Sequence, residues 1–282
     1  MTKALIVGGR GFIGSAVDRV LQRRGHTVEC YDLETGQNVM SASQVSDAVS
    51  DVDVVFDCAG RLGSAETFEA IRDTVYTNIL GSLNVLEACH KHRVPVVYIS
   101  LKNEWHNPYM ITKRAATEFC QMYYEYLGVQ TAVVRGLNAY GPGQHWGAVR
   151  KVVPTFIVQA LQDQPLTLYG DGKQIVDLIY VDDLAEIMVR MWEQQAWGHV
   201  IDGGTGRPVR VVDLARAIIE LTGSSSEIEF APMRLGEPQR SIALADPSQA
   251  LQLLGYYPDT PLEEGLRVTI QWYRQYWQEM KR

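Results

Sequence analysis

The stretch from Lys3 to Asp32 constrains the fold more than any other part of this chain. A short apolar run, Lys3-Ala4-Leu5-Ile6-Val7, stops at Gly8-Gly9-Arg10-Gly11-Phe12-Ile13-Gly14 and continues into Ser15 to Arg24, where apolar residues recur with helical periodicity. Thr27-Val28-Glu29-Cys30-Tyr31 reads as a second strand, and it ends at Asp32. Strand, glycine turn, helix and strand in this order begin a parallel sheet. Gly8 permits the tight turn out of the strand. Gly11 lets a pyrophosphate approach the backbone at the helix N-terminus, and Gly14 allows the helix to pack closely on the sheet. Phe12 and Ile13 belong to the same phosphate-facing loop. A carboxylate at Asp32 accepts hydrogen bonds from an adenosine ribose and repels a 2′-phosphate, which favours NAD over NADP. Arg10 in the glycine loop is placed to assist a phosphate, so NADP stays open.

The strand and helix alternation continues. Val52-Asp53-Val54-Val55-Phe56-Asp57 reads as a buried strand ending in Cys58-Ala59-Gly60, small residues across which a cofactor can lie and which close packing explains as well. A helical stretch runs from about Thr67 to His92, followed by a strand ending at Ser100. Asn107-Pro108 is start chemistry for the next helix, with Asn as N-cap and Pro in the first turn, and Gly128 stops it after Leu127. That helix carries Tyr109 and Lys113 one turn apart, so phenol and ammonium converge on one ligand. A Tyr beside a buried Lys is expected to lose its proton more easily than its ordinary pKa of about 10 allows. Such a phenol is an acid/base group suited to a hydroxyl proton.

After residue 150 the elements shorten. Pro154 to Gln162 reads as a helix, Leu166 to Tyr169 and Ile175 to Val181 as strands, Asp182-Asp183 as a helix cap, and Val200-Ile201-Asp202 as a strand returning to the main sheet. Segments around 210–222, 247–254 and 262–280 look helical. The expected fold class is α/β, a Rossmann-like doubly wound parallel sheet with a smaller α/β substrate-binding lobe. Residues 1–150 form the dinucleotide-binding domain, with a returning strand near 175–203, and residues 151–282 form the interleaved smaller lobe.

Composition narrows the classes. With 282 residues, 46% of them hydrophobic, the chain can bury a large core. A formal net charge of −7 argues against general nucleic-acid binding. No apolar stretch suits a membrane span or a signal peptide, so a cytoplasmic protein is expected. Cys30, Cys58, Cys89 and Cys120 are isolated and read as reduced core cysteines; with the histidines scattered, no metal site is expected.

With these residues assembled, nearly the whole chain resembles the extended short-chain dehydrogenase/reductase superfamily, in particular its nucleotide-sugar epimerase/dehydratase branch. Gly8, Gly11 and Gly14 match the branch's GxxGxxG, and Tyr109 and Lys113 match its YxxxK. Asn78 matches an Asn that supports the active site. Arg135 to Gly143 is similar to R-x-x-N-x-Y-G-P-G, Tyr169 to Gln174 with Tyr180 to Leu184 resembles the second-lobe signature, and Arg234 to Pro238 resembles R-P-G-E/D. The resemblance implies an NAD(P)-dependent enzyme that transfers hydride at a sugar carbon. Tyr109 would take the hydroxyl proton, while Lys113 would hold the nicotinamide ribose and stabilise the tyrosinate. Asn138 would contact substrate, Val152 and Tyr169 would lie near the nucleotide end, and Arg234 would meet a diphosphate, unless it is a surface charge paired with Glu237. The resemblance also implies a homodimer formed through the two long helices.

Two departures qualify this picture. The branch carries a Ser or Thr just after the strand end, and that position falls on Leu101, so Ser100, Thr112 or a residue of the short following loop has to substitute. Lys102, Glu104 and His106 are acid/base candidates there, although an exposed polar loop explains them equally. Val176 stands where the branch commonly carries an Arg that grips the diphosphate; Arg150, Lys151 or Lys173 then compensates, or the substrate is not an ordinary nucleotide sugar. Three readings follow: an epimerase or dehydratase of a nucleotide-activated sugar, a reductase or dehydrogenase of a non-nucleotide sugar or carbonyl compound, and a weakly catalytic NAD-binding sensor or scaffold.

Overall fold

The computed structural model describes residues 1–103 and 105–280, the side chains of 277–280 excepted. Glu104 therefore lies outside the described residues. Strand β1 (Lys3–Val7), helix α1 (Phe12–Arg23) and strand β2 (Thr27–Tyr31) form the opening unit, followed by α2 (Ala42–Val49) and β3 (Val54–Asp57). The stretch read as one helix from Thr67 is broken. It starts with a 3₁₀ turn at Glu66–Ala70, continues as α3 (Ile71–Val75), widens into a π turn at Tyr76–Gly81 and ends as α4 (Ser82–His92). The π turn holds Asn78, whose buried amide leaves the helix to bond Arg61 and Thr112, and such a local insertion is a common way to aim a side chain.

Strand β4 (Val96–Leu101) leads to α5 (Pro108–Leu127). The Asn107 side chain accepts the Met110 N–H at 2.9 Å, Pro108 opens the helix, and Gly128 closes it at φ 69°. Strands β5 (Thr131–Gly136) and β6 (Asn138–Tyr140), helix α6 (Val152–Leu161), strands β7 (Leu166–Tyr169), β8 (Ile175–Val176) and β9 (Leu178–Tyr180), helix α7 (Val181–Glu193) and strand β10 (Val200–Gly203) follow. The chain then forms β11 (Val209–Arg210), α8 (Val211–Thr222), β12 (Ile228–Ala231), α9 (Ser248–Leu254) and α10 (Leu262–Met280).

Six parallel strands form the central sheet in the order β10-β5-β4-β3-β1-β2. Strand alternation sends Ala4 and Ile6 into one apolar layer with α1 and α7, and Leu5 and Val7 into the other with α2, α4 and α5. The strand order reverses beside β1, with β2 on one side and β3 on the other, which opens a crevice at the carboxyl ends of β1 and β3. A third cluster, including Phe156, Leu168, Leu214 and Tyr273, unites α6, β7, α8 and α10 beside that crevice. Among the described residues no helix is long and apolar enough to cross a membrane.

Two local expectations need correction. Asp182 and Asp183 do not cap α7, whose N-cap is Tyr180. Asp182 instead pairs with Arg19 of α1 at 2.7 Å, and Asp183 accepts the Tyr256 hydroxyl at 2.8 Å, so both carboxylates tie distant segments together. The strand expected over Ile175–Val181 is split at Asp177. This fully buried carboxylate accepts from the N–H and hydroxyl of Thr205 and from the N–H groups of Gly206 and Ala245. At Asp177 the chain changes strand partner, from β11 beside β8 to β6 beside β9, while its carboxylate satisfies four donors in the interior.

Candidate active site

A cavity of about 970 Å³ runs from the glycine loop, past the ends of β3 and β4, to the first turn of α6 and Arg234. At its inner end two of the three motif glycines, Gly8 and Gly14, are sterically required. Gly8 has φ +78°, and a Cβ on it would lie 2.9 Å from the Ala59 nitrogen. A Cβ on Gly14 would lie 2.2 Å from the Gly8 carbonyl oxygen, so α1 sits directly on the turn. Gly11 is the N-cap of α1 and offers no side-chain cap, which leaves the first N–H groups free to face a phosphate. Phe12, Ile13, Cys58, Ala59 and Gly60 line the same wall. Asp32 accepts the Arg10 N–H at 3.0 Å and the Glu34 N–H at 3.1 Å, which holds its carboxylate at the cavity edge beyond β2. These features fit a dinucleotide: room where any side chain would collide, unspent helix donors, and a carboxylate one strand away.

Tyr109 and Lys113 are both buried and both line the cavity. Lys113 Nζ lies 4.1 Å from the centre of the Tyr98 ring and 3.7 Å from where a Cβ on Gly60 would stand. Burial lowers the Lys113 pKa to about 8, against the opposing pull of Asp57, a carboxylate buried at the end of β3. Burial in turn raises Asp57, with Lys113 acting the other way. The expected lowering of the Tyr109 phenol is not present: burial pushes it up, because the loss of water outweighs any help from the ammonium. Asn78 donates to the Arg61 carbonyl at 3.1 Å and to Thr112 Oγ1 at 3.0 Å, and accepts the Arg61 N–H at 2.7 Å. It thereby stitches the loop after β3 to α5 beneath the cavity.

The structure does not bring the substitute hydroxyls to Tyr109. Ser100 borders the cavity, but its hydroxyl lies 2.6 Å from Thr117 Oγ1 and bonds the Lys113 carbonyl at 3.3 Å. Thr112 donates to the Pro108 carbonyl at 2.7 Å and accepts from Asn78. Leu101 occupies the strand end and lines the cavity. Lys102 is turned to Asp202, which also holds Arg135, and His106 is exposed.

The segment from β6 to β8, with Arg234, supplies the opposite wall. Asn138 donates to the Asp177 carbonyl at 3.3 Å; Val152, Tyr169 and Val176 line the cavity. Arg234 reaches Glu66 at 2.6 Å and Glu237 at 3.5 Å, and lies 5.6 Å from the centre of the Tyr169 ring. The Glu237 partnership is the alternative weighed from sequence; Glu66, the closer partner, carries no local sequence signal. Of the three candidate cations, Lys173 pairs with Asp171 at 3.9 Å, while Arg150, stacked on Trp146, and Lys151 both line the cavity. Asp57 was open to detection, as a carboxylate at the end of an apolar strand run.

Fold and cleft together define a dinucleotide-binding α/β protein with a second lobe over the cofactor crevice. Residues 4–202 match the NAD dependent epimerase/dehydratase family, and the chain belongs to it. It is an enzyme of that family, with NAD as cofactor. A UDP-N-acetyl-alpha-D-glucosaminuronate decarboxylase from Bacillus cytotoxicus is 29% identical over 97% of this chain and 98% of its own length. That alignment runs over 317 positions for a chain of 282 residues, so the relative carries segments this chain lacks. Among solved structures, UDP-glucose 4-epimerase from Thermotoga maritima with UDP-glucose superposes with a TM-score of 0.90 at 27% identity, covering 98% of this chain and 99% of that one. UDP-glucuronic acid 4-epimerase from Bacillus cereus, with UDP-glucuronic acid and NAD, gives 0.87 at 26% identity over 97% and 99%.

Proposed function

We propose that the enzyme transfers hydride between a carbon of a nucleotide-activated sugar and NAD, in an epimerase or dehydratase cycle, with Tyr109 as acid/base. The observation that carries this reading is the burial of Tyr109 and Lys113 one turn apart in the cavity wall, with Lys113 Nζ facing the side-chain-free surface at Gly60. NAD supplies the hydride acceptor there. Tyr109 takes the hydroxyl proton of the reacting carbon and returns it. Lys113 bonds the nicotinamide ribose and stabilises the tyrosinate, Asp32 receives the adenosine ribose hydroxyls, and Gly8, Gly11 and Gly14 clear the pyrophosphate path. Asn138, at the junction after β5, and Val152 and Tyr169 of the second lobe, which we assign to residues 151–282, hold the substrate.

The test is incubation with a panel of nucleotide sugars read by NMR, with Tyr109→Phe beside the native chain. Conversion is expected, slowed roughly 100-fold or more in the variant. Equal conversion by both would remove Tyr109 from the chemistry.

A second reading, a reductase or dehydrogenase of a non-nucleotide sugar or carbonyl compound, draws support from Arg234. That guanidinium already sits between Glu66 and Glu237, and Val176 adds no cation beside it. Calorimetry with UDP separates the two: no binding favours the second reading, as does net reduction of NAD with substrate.

The relatives' nucleotide-sugar chemistry supports the first reading. We further propose a homodimer through the broken helix of α3, the π turn and α4 together with α5, where Ile71 of α3, Tyr76 and Leu80 of the π turn and Ile111 of α5 are exposed apolar residues on elements packed together. Sedimentation of Leu80→Glu/Ile111→Glu is expected to show monomers; an unchanged dimer would place the interface elsewhere.

A further inference from the structure

Lys151 stands out among the charged groups of the cavity. Its Nζ lies 5.6 Å from the centre of the Tyr109 ring, at the end where the reacting carbon of the proposed substrate sits. The residue is the N-cap of α6, with extended backbone at φ −110° and ψ 141°, so its position is set by the start of a helix packed into the second-lobe core. The carboxylates whose fields reach it, Glu66 and Glu237, are both bound to Arg234. Among the described residues no carboxylate closes an ion pair with Lys151 itself. Desolvation lowers its pKa, and the Arg234 charge acts the same way against the pull of Glu66 and Glu237. A partly buried ammonium without a carboxylate partner carries a cost that an anionic ligand removes.

Two anions are available on a nucleotide sugar, the diphosphate and a carboxylate on the sugar ring. Arg234, close to Tyr169, marks the diphosphate end assigned above. Lys151 instead faces the ring whose phenol handles the sugar hydroxyl. Resting on the nucleotide-sugar reading, we propose that the substrate is a uronate, an acid sugar whose carboxylate is held by Lys151 beside Tyr109. Lys151 then determines specificity: it selects acid over neutral sugars and fixes which carbon meets the nicotinamide. A flexible point-charge ammonium suits a carboxylate that must stay bound while the ring carbon changes geometry.

The NAD-loaded enzyme is assayed with UDP-glucuronate and with UDP-glucose, as the native chain, Lys151→Met and Lys151→Arg, with calorimetry of UDP and of NAD alongside. The native chain is expected to prefer the acid sugar in kcat/KM. Lys151→Met should lower the acid-over-neutral ratio roughly 10–100-fold. Lys151→Arg should keep most of the ratio, UDP affinity should change far less than the ratio does although Arg234 bonds the neighbouring Arg150 carbonyl, and NAD binding certifies the fold. A native chain that takes the neutral sugar as well as the acid overturns the proposal while leaving the nucleotide-sugar reading standing. A Lys151→Met variant that loses UDP affinity overturns it too, because the ammonium then serves the diphosphate. Absence of binding and turnover for both sugars and for UDP overturns the nucleotide-sugar reading itself, and this proposal with it.

Discussion

The Ser100 hydroxyl lies 2.6 Å from Thr117 Oγ1, inside the seam between β4 and α5. The hydroxyl nearest in sequence to the vacated Ser/Thr position therefore holds a helix to a strand. Ser100→Ala is expected to cost about 1 kcal/mol of stability, the net worth of one such bond. Steady-state turnover should stay within about threefold. Denaturant titration and kinetics check this, and a collapse of kcat with unchanged stability would return Ser100 to the chemistry.

The glycine loop orders two substitutions. Gly14→Ala places a Cβ 2.2 Å from the Gly8 carbonyl oxygen, and backbone on both sides prevents relief. It should destabilise the fold by about 1–3 kcal/mol. Gly11→Ala meets only the Gly8 oxygen, at 3.2 Å, so its stability loss should be smaller while NAD affinity still falls. Thermal unfolding and calorimetry with NAD, run on both variants, test the order.

Lys113 makes stability depend on alkaline pH. Burial lowers its pKa from 10.5 to about 8, so between those values the unfolded chain binds the proton and the native chain does not. Stability contributed by this group is complete above the unfolded value and is lost as pH falls through about 8. The gain on raising pH through that window is on the order of 3 kcal/mol. Burial of Tyr109 acts oppositely at higher pH, since its native phenol keeps the proton longer than the unfolded one. The readout is therefore the difference between the native chain and Lys113→Met in unfolding free energy across the window. A flat difference would show that Lys113 is solvated.

Asp177 anchors the second lobe through four donors, at 2.9 and 2.7 Å from Thr205, 2.7 Å from Gly206 and 3.0 Å from Ala245. Asp177→Asn turns an amide N–H toward donors and removes the charge that strengthens the bonds. A loss of about 2–4 kcal/mol is expected. Hydrogen exchange should show faster exchange of the Thr205, Gly206 and Ala245 amides ahead of the central sheet. Uniform protection would contradict the anchoring role.

Legibility in the sequence followed the range of the interaction. The 20 residues of α5 were readable because Asn107, Pro108 and Gly128 act within a turn of their own positions. The break at Asn78 was not, since the π turn serves bonds to Arg61 and Thr112, the latter 34 residues away. Arg234 was legible as a charged group but not as the partner of Glu66, 168 residues earlier. Spacing shows that a Lys is near Tyr109, but only packing shows how much water is gone, and the loss of water sets the direction of the Tyr109 shift.

The sequence by itself determined the parallel α/β fold, the glycine turn between β1 and α1 and the placing of Tyr109 and Lys113 one turn apart. These depend on local backbone freedom and helical periodicity, which a few adjacent residues suffice to impose. Only the tertiary structure decided that Ser100 faces Thr117, that Arg234 is held by Glu66 and Glu237, and that Lys151 reaches Tyr109. Those outcomes depend on which distant side chains share a desolvated space, and that is settled when the second lobe closes over the sheet.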